Sequence, residues 1–306
     1  MIRSRWLFMG LVAFGCAARQ SPSDAPPAVP VASVAPGGAV EAQLRSVPPA
    51  PLDVRVTDGA DQDGVRVDQV SFRGPGGKGL VRATRVRPPG PGPFAAVLWV
   101  HWLGDPETTN RTEFLAEATA LARRGLVSLL VDALWSTPQW YATRVPEHDY
   151  DAFVRQAQEL IRALDLLAAE PAVDATRIGF VGHDYGAMHG ILAGAVDRRP
   201  RAWVLVAATP RFADWAFFGP KPKDQEAYLS RLALLDPVEF IGRLDGAVLL
   251  QFASRDDYIP DSAAQSLAAA APGTASVQTY DADHGMDVAA ARTERDAFLA
   301  AVLRLR

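Results

Sequence analysis

The chain has 306 residues, 49% of them hydrophobic, and a formal net charge of −4, which suits one large domain or two small ones. It has no basic run and no interleaving of basic with aromatic residues, so nucleic acid is not expected as a partner. Its single cysteine, Cys16, leaves the folded part with neither a disulfide nor a cysteine-based metal site. No metal motif or cofactor fingerprint occurs, and we expect neither a metal nor a cofactor.

Residues 1–15 are typical of an export signal. Arg3 and Arg5 precede an apolar run, Trp6–Phe14, that is too short to span a bilayer. The end of this run resembles the lipobox of bacterial lipoproteins, in which the cysteine, here Cys16, is lipidated and becomes the mature N-terminus. We therefore expect an exported protein with a lipid anchor in a membrane of the bacterial cell envelope. The alternative is a plain secretory signal and a periplasmic or secreted protein.

Residues 16–51 are predicted to form a disordered linker. They consist mainly of Ala, Pro, Ser and Val, with almost no charge and no helical or strand periodicity. Such a segment cannot bury enough apolar surface to fold, and proline-rich linkers act as extended spacers. The folded domain is expected to cover residues 52–306.

From residue 52 onward, strand and helix patterns alternate. Val65–Phe72 alternates apolar with polar residues, and Leu80–Val86 returns after a glycine-rich turn, which predicts an antiparallel hairpin at a sheet edge. Further strands, most of them continuous apolar runs typical of strands buried on both faces, are predicted at Ala95–Val100, Leu126–Val131, Ile178–Val181, Ala202–Ala207, Ala247–Phe252 and Ser276–Tyr280. Helices are predicted at Arg111–Arg123, Asp151–Ala169, Ala187–Ala195, Ser262–Ala270 and Val288–Leu303. This order predicts an α/β fold with a mostly parallel sheet and helices on both faces.

An insert, Pro210–Gly246, interrupts the alternation between the strands at 202–207 and 247–252. It carries several aromatic residues, as lids and binding loops in α/β domains do. The alternative is a crossover helix with a surface loop. A second aromatic segment, Trp135–Tyr141, is expected either to line a pocket or to pack.

The sequence Gly182-His-Asp184-Tyr-Gly186 lies between a predicted strand and a predicted helix. It has the form Gly-x-nucleophile-x-Gly of the nucleophile elbow, a strained strand-to-helix turn that exposes a reactive side chain. Glycine is needed at 182 and 186 because a side chain there would collide where the strand and helix cross. The apex residue is Asp184, where Ser or Cys is usual.

Other polar residues follow the predicted strands, at the edge where sites in parallel sheets lie. They are His101, Trp102, Asp132, Thr209, Asp256, Asp257 and His284. We expect Asp256, or alternatively Asp257, to hold His284 in one tautomer, with Asp184, the acid and the histidine in the chain order of a hydrolase triad.

Backbone N–H groups near Asp184 are expected to form an oxyanion hole. The donors would be the N–H of Trp102 or Leu103 together with that of Tyr185, and Gly104 would let the loop turn close to the elbow. The remaining histidines are not expected to act as the catalytic base. His101 is expected to shape this loop, His183 to point away from the site, His189 to lie on the wrong side of the turn and His148 to be solvated.

The elbow, the triad residues, Leu235-Asp-Pro-Val238 and Arg255-Asp-Asp-Tyr-Ile-Pro260 resemble the α/β-hydrolase superfamily, and within it the dienelactone hydrolase-like branch. The resemblance extends from Val65 to the C-terminus and implies the α/β-hydrolase fold. The aspartate elbow is similar instead to those of haloalkane dehalogenases and epoxide hydrolases, although Tyr185 stands where the dehalogenases have a halide-binding Trp.

The resemblance implies a hydrolase that acts on a small organic substrate through a covalent alkyl ester on Asp184. His284 would be the general base and Asp256 its orienter. The alternatives are a dienelactone hydrolase-like esterase or lactonase, and a catalytically inactive binding protein that has kept the fold.

Overall fold

The computed structural model describes residues 36–105 and 107–305. The predicted export signal, Cys16 and residues 16–35 of the predicted linker lie outside these ranges. Within them, no helix combines the length and the apolar character needed to cross a membrane.

The structure is organised around one nine-stranded sheet, with the strand order β1-β2-β3-β5-β4-β6-β7-β8-β9. Three strand pairs are antiparallel: β1 with β2, β2 with β3, and β3 with β5. The other five pairs, from β5 with β4 to β8 with β9, are parallel. The strands are β1 Arg55–Gln62, β2 Val65–Arg73, β3 Leu80–Arg87, β4 Phe94–Val100, β5 Leu126–Val131, β6 Val173–His183, β7 Pro200–Val206, β8 Ala247–Ala253 and β9 Ser276–Tyr280.

Helices cover the sheet in two groups. The helices are α1 Pro36–Arg45, α2 Leu115–Ala122, α3 Trp140–Thr143, α4 Asp149–Ala169, α5 Tyr185–Gly194, α6 Gln225–Leu232, α7 Asp261–Ala270 and α8 Ala289–Leu303. In one group α4 packs on α5 and α1 packs on α4. In the other, a buried ion pair at 2.7 Å between Arg295 and Glu117 joins α8 to α2.

The central strands explain why the apolar runs in the sequence are continuous. Every residue of β4 from Ala95 to Val100 is at most 1% exposed, because helices cover both faces of the sheet. The predicted fold class, a mostly parallel sheet with an antiparallel N-terminal hairpin and helices on both faces, is confirmed.

Two elements at the start of the domain were not predicted. The prediction that residues 16–51 are disordered is wrong for residues 36–45, which form α1, because Val40 and Leu44 share one helix face and are buried against the domain. Strand β1 was missed because its residues are polar and almost all exposed. It is held by backbone pairing with β2, which leaves no alternation in the sequence.

The glycines of the predicted elbow lie where backbone segments cross. A Cβ atom at Gly186 would be 2.8 Å from the carbonyl oxygen of His101 and closer still to that of Val100. Backbone cannot give way as a flexible side chain can, so we expect Gly186→Ala to lower the free energy of unfolding by about 3 kcal/mol. Chemical denaturation measures this effect. Gly273→Ala is the matched control, because nothing lies within 4 Å of a Cβ there, and an equal loss in both variants would contradict the explanation.

Candidate active site

Asp184 occupies the turn between β6 and α5 in a backbone conformation that residues with a Cβ atom rarely adopt. Its φ of 52° and ψ of −118° are sterically unfavourable for a residue with a Cβ. The turn is tight, since a Cβ at Gly182 would lie 2.6 Å from the backbone nitrogen of Ala187. Backbone hydrogen bonds hold it: the Asp184 N–H donates to the Val206 carbonyl at 2.8 Å, and its own carbonyl accepts from Met188 at 3.0 Å.

The two oxygens of the Asp184 carboxylate have different surroundings. Oδ2 accepts a hydrogen bond from the Leu103 N–H at 3.2 Å. Oδ1 is buried and has no hydrogen-bond partner among the described residues. The side chain is 1% exposed, and this burial raises its pKa to about 6 against the opposing charges of His284 and His183. One oxygen is therefore held by a backbone donor, whereas the other has no hydrogen-bond partner within the described part of the chain.

His284 and Asp256 form a hydrogen-bonded pair at 2.8 Å. Asp256 accepts from His284 Nδ1 through Oδ2, and its Oδ1 accepts from the backbone N–H groups of Tyr258 and Ile259. This arrangement fixes a proton on Nδ1 and leaves the Nε2 lone pair of the neutral ring free. Nε2 is buried and unpartnered within the described part of the chain. The side chain of Asp257 is exposed, and it is Asp256 that contacts His284.

The pair also shifts both pKa values. Burial alone would lower the pKa of His284, but the hydrogen bond that it donates to Asp256 and the negative charge of Asp184 outweigh this effect, so the pKa lies above its usual value. Burial would raise the pKa of Asp256, yet the His284 hydrogen bond holds it below its usual value. Asp256 therefore stays ionised and favours a charged His284.

The loop after β4 supplies one backbone donor to Asp184. Of the two alternatives, Leu103 takes this place. The prediction that the Trp102 N–H could serve is wrong, because that group donates to Glu113 Oε2 at 2.9 Å. The N–H of Tyr185 also lowers the pKa of Asp184. A Cβ at Gly104 would overlap the Trp102 indole, with three ring atoms at 2.7 Å or less.

Three aromatic side chains, Trp215, Phe218 and Tyr258, form a cover over His284. The ring centroids of Trp215 and Tyr258 lie 5.4 and 5.1 Å from that of His284, and Phe218 packs on both. Phe218 and Tyr258 are 64% and 52% exposed, so the cover separates His284 from solvent. Because Trp215 and Phe218 belong to the 210–246 insert, this segment contributes to the site.

Polar contacts hold the aromatic cover in place. Trp215 donates its indole N–H to Thr209 Oγ1 at 3.1 Å. The carbonyl oxygens of Trp215 and Ala216 accept from the Tyr141 hydroxyl and the Arg144 guanidinium. The end of the Trp135–Tyr141 segment thus supports the insert, whereas Trp135 itself packs in the core against Tyr185.

The remaining polar residues at the strand ends lie around the site. His101 bonds to the Trp102 carbonyl and to Ser136, in keeping with a role in shaping the loop, and burial lowers its pKa to about 4. Asp132 pairs with Arg111 at 3.1 Å. His189 is buried among aromatic rings and bonds to the Tyr185 carbonyl, and His148 is exposed.

The prediction for His183 is only partly correct. Its ring belongs to the wall of the site, where it bonds to Glu113 and to the backbone carbonyl of His284. Sequence reasoning missed Glu113 altogether, since a glutamate in the first turn of a predicted helix is an ordinary occurrence. Within residues 36–105 and 107–305, no group of acidic, His or Cys side chains could hold a metal ion.

No protein-family model and no curated protein matches the sequence. Solved structures show that the chain has the α/β-hydrolase fold. It is similar to an acetyl xylan esterase from Paenibacillus sp. R4, with 19% identity and a TM-score of 0.68 over 87% of this chain and 92% of that one. It is also similar to acetyl xylan esterase 1 from Thermoanaerobacterium sp. JW/SL YS485, with 15% identity and a TM-score of 0.67 over 87% of this chain and 92% of that one. A structure assigned as a dienelactone hydrolase from Klebsiella pneumoniae is similar with 18% identity and a TM-score of 0.58, over 79% of this chain and 99% of that one.

Proposed function

We propose that the protein is a hydrolase that forms a covalent alkyl ester on Asp184 with a small organic substrate. The observation that carries this proposal is that the two oxygens of the Asp184 carboxylate differ in their hydrogen bonding. Oδ2 accepts from the Leu103 N–H, and Oδ1 has no partner in the described part of the chain. A carboxylate that attacks carbon needs one free oxygen, and the other must later accept the charge of a tetrahedral intermediate.

In the first step, a lone pair of Asp184 Oδ1 attacks an electrophilic sp³ carbon of the substrate. The bond from that carbon to the leaving group breaks, and the leaving group departs with the electron pair. For a haloalkane the leaving group is a halide, and for an epoxide it is the ring oxygen, which takes a proton from solvent. The product of this step is an ester between the substrate carbon and Oδ1 of Asp184.

In the second step, His284 Nε2 takes a proton from water while the water oxygen attacks Cγ of Asp184. Negative charge develops on Oδ2, where the N–H groups of Leu103 and Tyr185 stabilise it. The intermediate collapses, Oδ1 leaves with the substrate carbon as an alcohol, and His284 returns the proton. Asp184 keeps the oxygen that came from water and releases that water's remaining proton to solvent, which restores the carboxylate.

Two features favour this chemistry over the alternatives. An ester substrate would require a mixed anhydride on Asp184, a less favourable intermediate than an acyl-serine, even though the structural relatives include esterases. An inactive binding protein would have no need of the unfavourable backbone at Asp184 or of a buried, unpartnered His284 Nε2. The apolar rings of the aromatic cover suit a small, uncharged organic substrate.

A single turnover in H₂¹⁸O tests the order of bond formation. A panel of 1-bromobutane, styrene oxide and p-nitrophenyl acetate first identifies a substrate, and excess enzyme then converts it once. We expect ¹⁸O in the carboxylate of Asp184 and ¹⁶O in the alcohol, as read by peptide and product mass spectrometry. If ¹⁸O enters the product directly, Asp184 acts as a base on water and the covalent route is excluded.

The pH dependence of the reaction follows from the two raised pKa values. Asp184 must be ionised to attack, so the first step is lost as the pH falls through its pKa of about 6. His284 must be neutral to act as a base in the second step, so its raised pKa gives kcat an acid limb of its own. We expect kcat/KM to fall by up to about tenfold per pH unit below about 6 and to stay level in mild alkali. A rate maximum at pH 5 would contradict these assignments.

A further inference from the structure

Glu113 connects two loops of the site through His183. The Glu113 carboxylate accepts from the Trp102 N–H through Oε2 at 2.9 Å and lies 2.6 Å from His183 Nδ1 through Oε1. The other ring nitrogen of His183, Nε2, bonds to the backbone carbonyl of His284 at 3.0 Å. A chain of three hydrogen bonds thus runs from the loop after β4, residues 101–104 (the oxyanion loop), to the loop of residues 283–286 that carries His284.

The partners of His183 determine where its protons lie. The His284 carbonyl can only accept, so His183 Nε2 must carry a hydrogen. The short contact between Nδ1 and Glu113 requires one more proton, and imidazole is a stronger base than carboxylate. With this proton on Nδ1, His183 carries hydrogens on both nitrogens and is a cation, and Glu113 is its counter-ion. The ring is 1% exposed and stacks on the Trp102 indole, with the centroids 5.1 Å apart and the planes at 8°.

We propose that Glu113 and His183 form a positioning ion pair that fixes the oxyanion loop relative to His284 and sets a positive charge beside Asp184. The proposal rests on the proposed function for the roles of Leu103 and His284. Fixing the Trp102 N–H sets the direction of the adjacent Leu103 N–H toward Asp184. The His284 carbonyl is fixed in the same way, so the donor and the base are held by a single pair of side chains.

Other charged groups act on this pair from several elements. Asp184 and His284 lie beside His183, with the rings of His183 and His284 5.7 Å apart. His101, after β4, interacts with both members of the pair, and Arg295 of α8 interacts with Glu113. The positive charge of His183 lowers the pKa of Asp184 and partly offsets the effect of burial. His183 therefore favours the ionised form of Asp184 through its charge, without itself taking part in the attack on the substrate carbon.

Two variants of Glu113 separate charge from contact. In Glu113→Gln, the amide oxygen can still accept from Trp102, and the amide NH₂ can donate to His183 Nδ1. The hydrogen bonds are kept while His183 becomes neutral. In Glu113→Ala, both contacts are lost. The control is Glu226→Ala, which removes a carboxylate from the exposed side of α6.

The experiment needs no substrate, so its failure is distinct from failure of the proposed function. Nitrogen NMR of the ¹⁵N-histidine-labelled full chain at pH 7.5, assigned with His183→Gln, reports the protons of His183. We expect two protonated ring nitrogens in the parent protein, and in Glu113→Gln a protonated Nε2 only. A neutral His183 in the parent would overturn the ion pair.

Hydrogen exchange in the same proteins tests the positioning role. We expect Glu113→Ala to speed amide exchange at least tenfold in residues 101–104 and 283–286, with Glu113→Gln and Glu226→Ala close to the parent. Unchanged exchange in either loop of Glu113→Ala, or equal acceleration in Glu113→Gln, would overturn the proposed connection. If Glu113→Ala does not fold, the exchange of His183→Gln in 283–286 decides between the same two outcomes.

Discussion

Replacing His284 with Gln is expected to stop the reaction after its first step, with the substrate alkyl group bound to Asp184. The free Nε2 of His284 is the base that the second step needs, and Gln cannot take a proton from water. Asp184 can still attack, so the ester accumulates. Steady-state turnover should fall by about 10³-fold, and intact-protein mass spectrometry should show one added alkyl group per chain.

The matched control for this variant is His148→Gln, which alters an exposed histidine. It should turn over at the parent rate and stay unmodified. Peptide mapping locates the adduct, which we expect on residue 184. If the protein remains unmodified with the haloalkane, the epoxide and the ester of the panel, the mechanism through a covalent alkyl ester on Asp184 is excluded. Because His284 no longer contributes its charge, the acid limb of alkylation should also move to higher pH.

Replacing Asp184 with Asn is expected to abolish covalent labelling and to lower turnover by up to about 10⁶-fold, as loss of a nucleophile does in other covalent enzymes. The amide oxygen can still accept from Leu103, so the turn itself should persist. Activity assays and mass spectrometry with 1-bromobutane or styrene oxide measure the loss. Deamidation of the introduced amide would restore the parent residue, and the same spectra monitor it.

The same variant should be more stable than the parent at pH 8. Burial raises the pKa of Asp184 from an ordinary 3.8 to about 6, so the ionised group disfavours the folded state by about 3 kcal/mol above that pH. For an acid with a raised pKa, the penalty grows as the pH rises from 3.8 to about 6. The gain in Asp184→Asn should therefore shrink as the pH falls below about 6. Denaturant unfolding of the variant and of Asp257→Asn, an exposed neighbour, at several pH values measures it.

A nucleophile that lowers stability is typical of a site kept for reaction rather than for folding. Asp184 combines an unfavourable backbone, a buried charge and an unpartnered oxygen within the described chain. Each of these features costs free energy that a simple scaffold would have no reason to retain. The structural relatives named as esterases or as a dienelactone hydrolase share the fold at no more than 19% identity, which leaves the reaction to be decided by the site.

Local patterns in the sequence were sufficient for eight of the nine strands and for the strand-to-helix turn at Asp184. Continuous apolar runs predict buried strands, and Gly182 and Gly186 are required wherever a strand and a helix cross within reach of a Cβ. The pairing of Asp256 with His284 was foreseen for the same reason, since both follow strands whose carboxyl ends share one edge. These features depend on residues close in the chain or on a general rule of parallel sheets.

Only the tertiary structure decided the contacts that complete the site. Glu113 and His183 are 70 residues apart, and His183 and the His284 carbonyl are 101 apart, so no periodicity or spacing could reveal them. The same holds for Trp215, which the insert brings to His284, and for α1, whose burial depends on a surface supplied by α4. The sequence by itself determined that Asp184 stands at the turn between β6 and α5. Which of its oxygens is free depended on the Leu103 N–H, because side-chain hydrogen bonds between distant segments form only once the chain has folded.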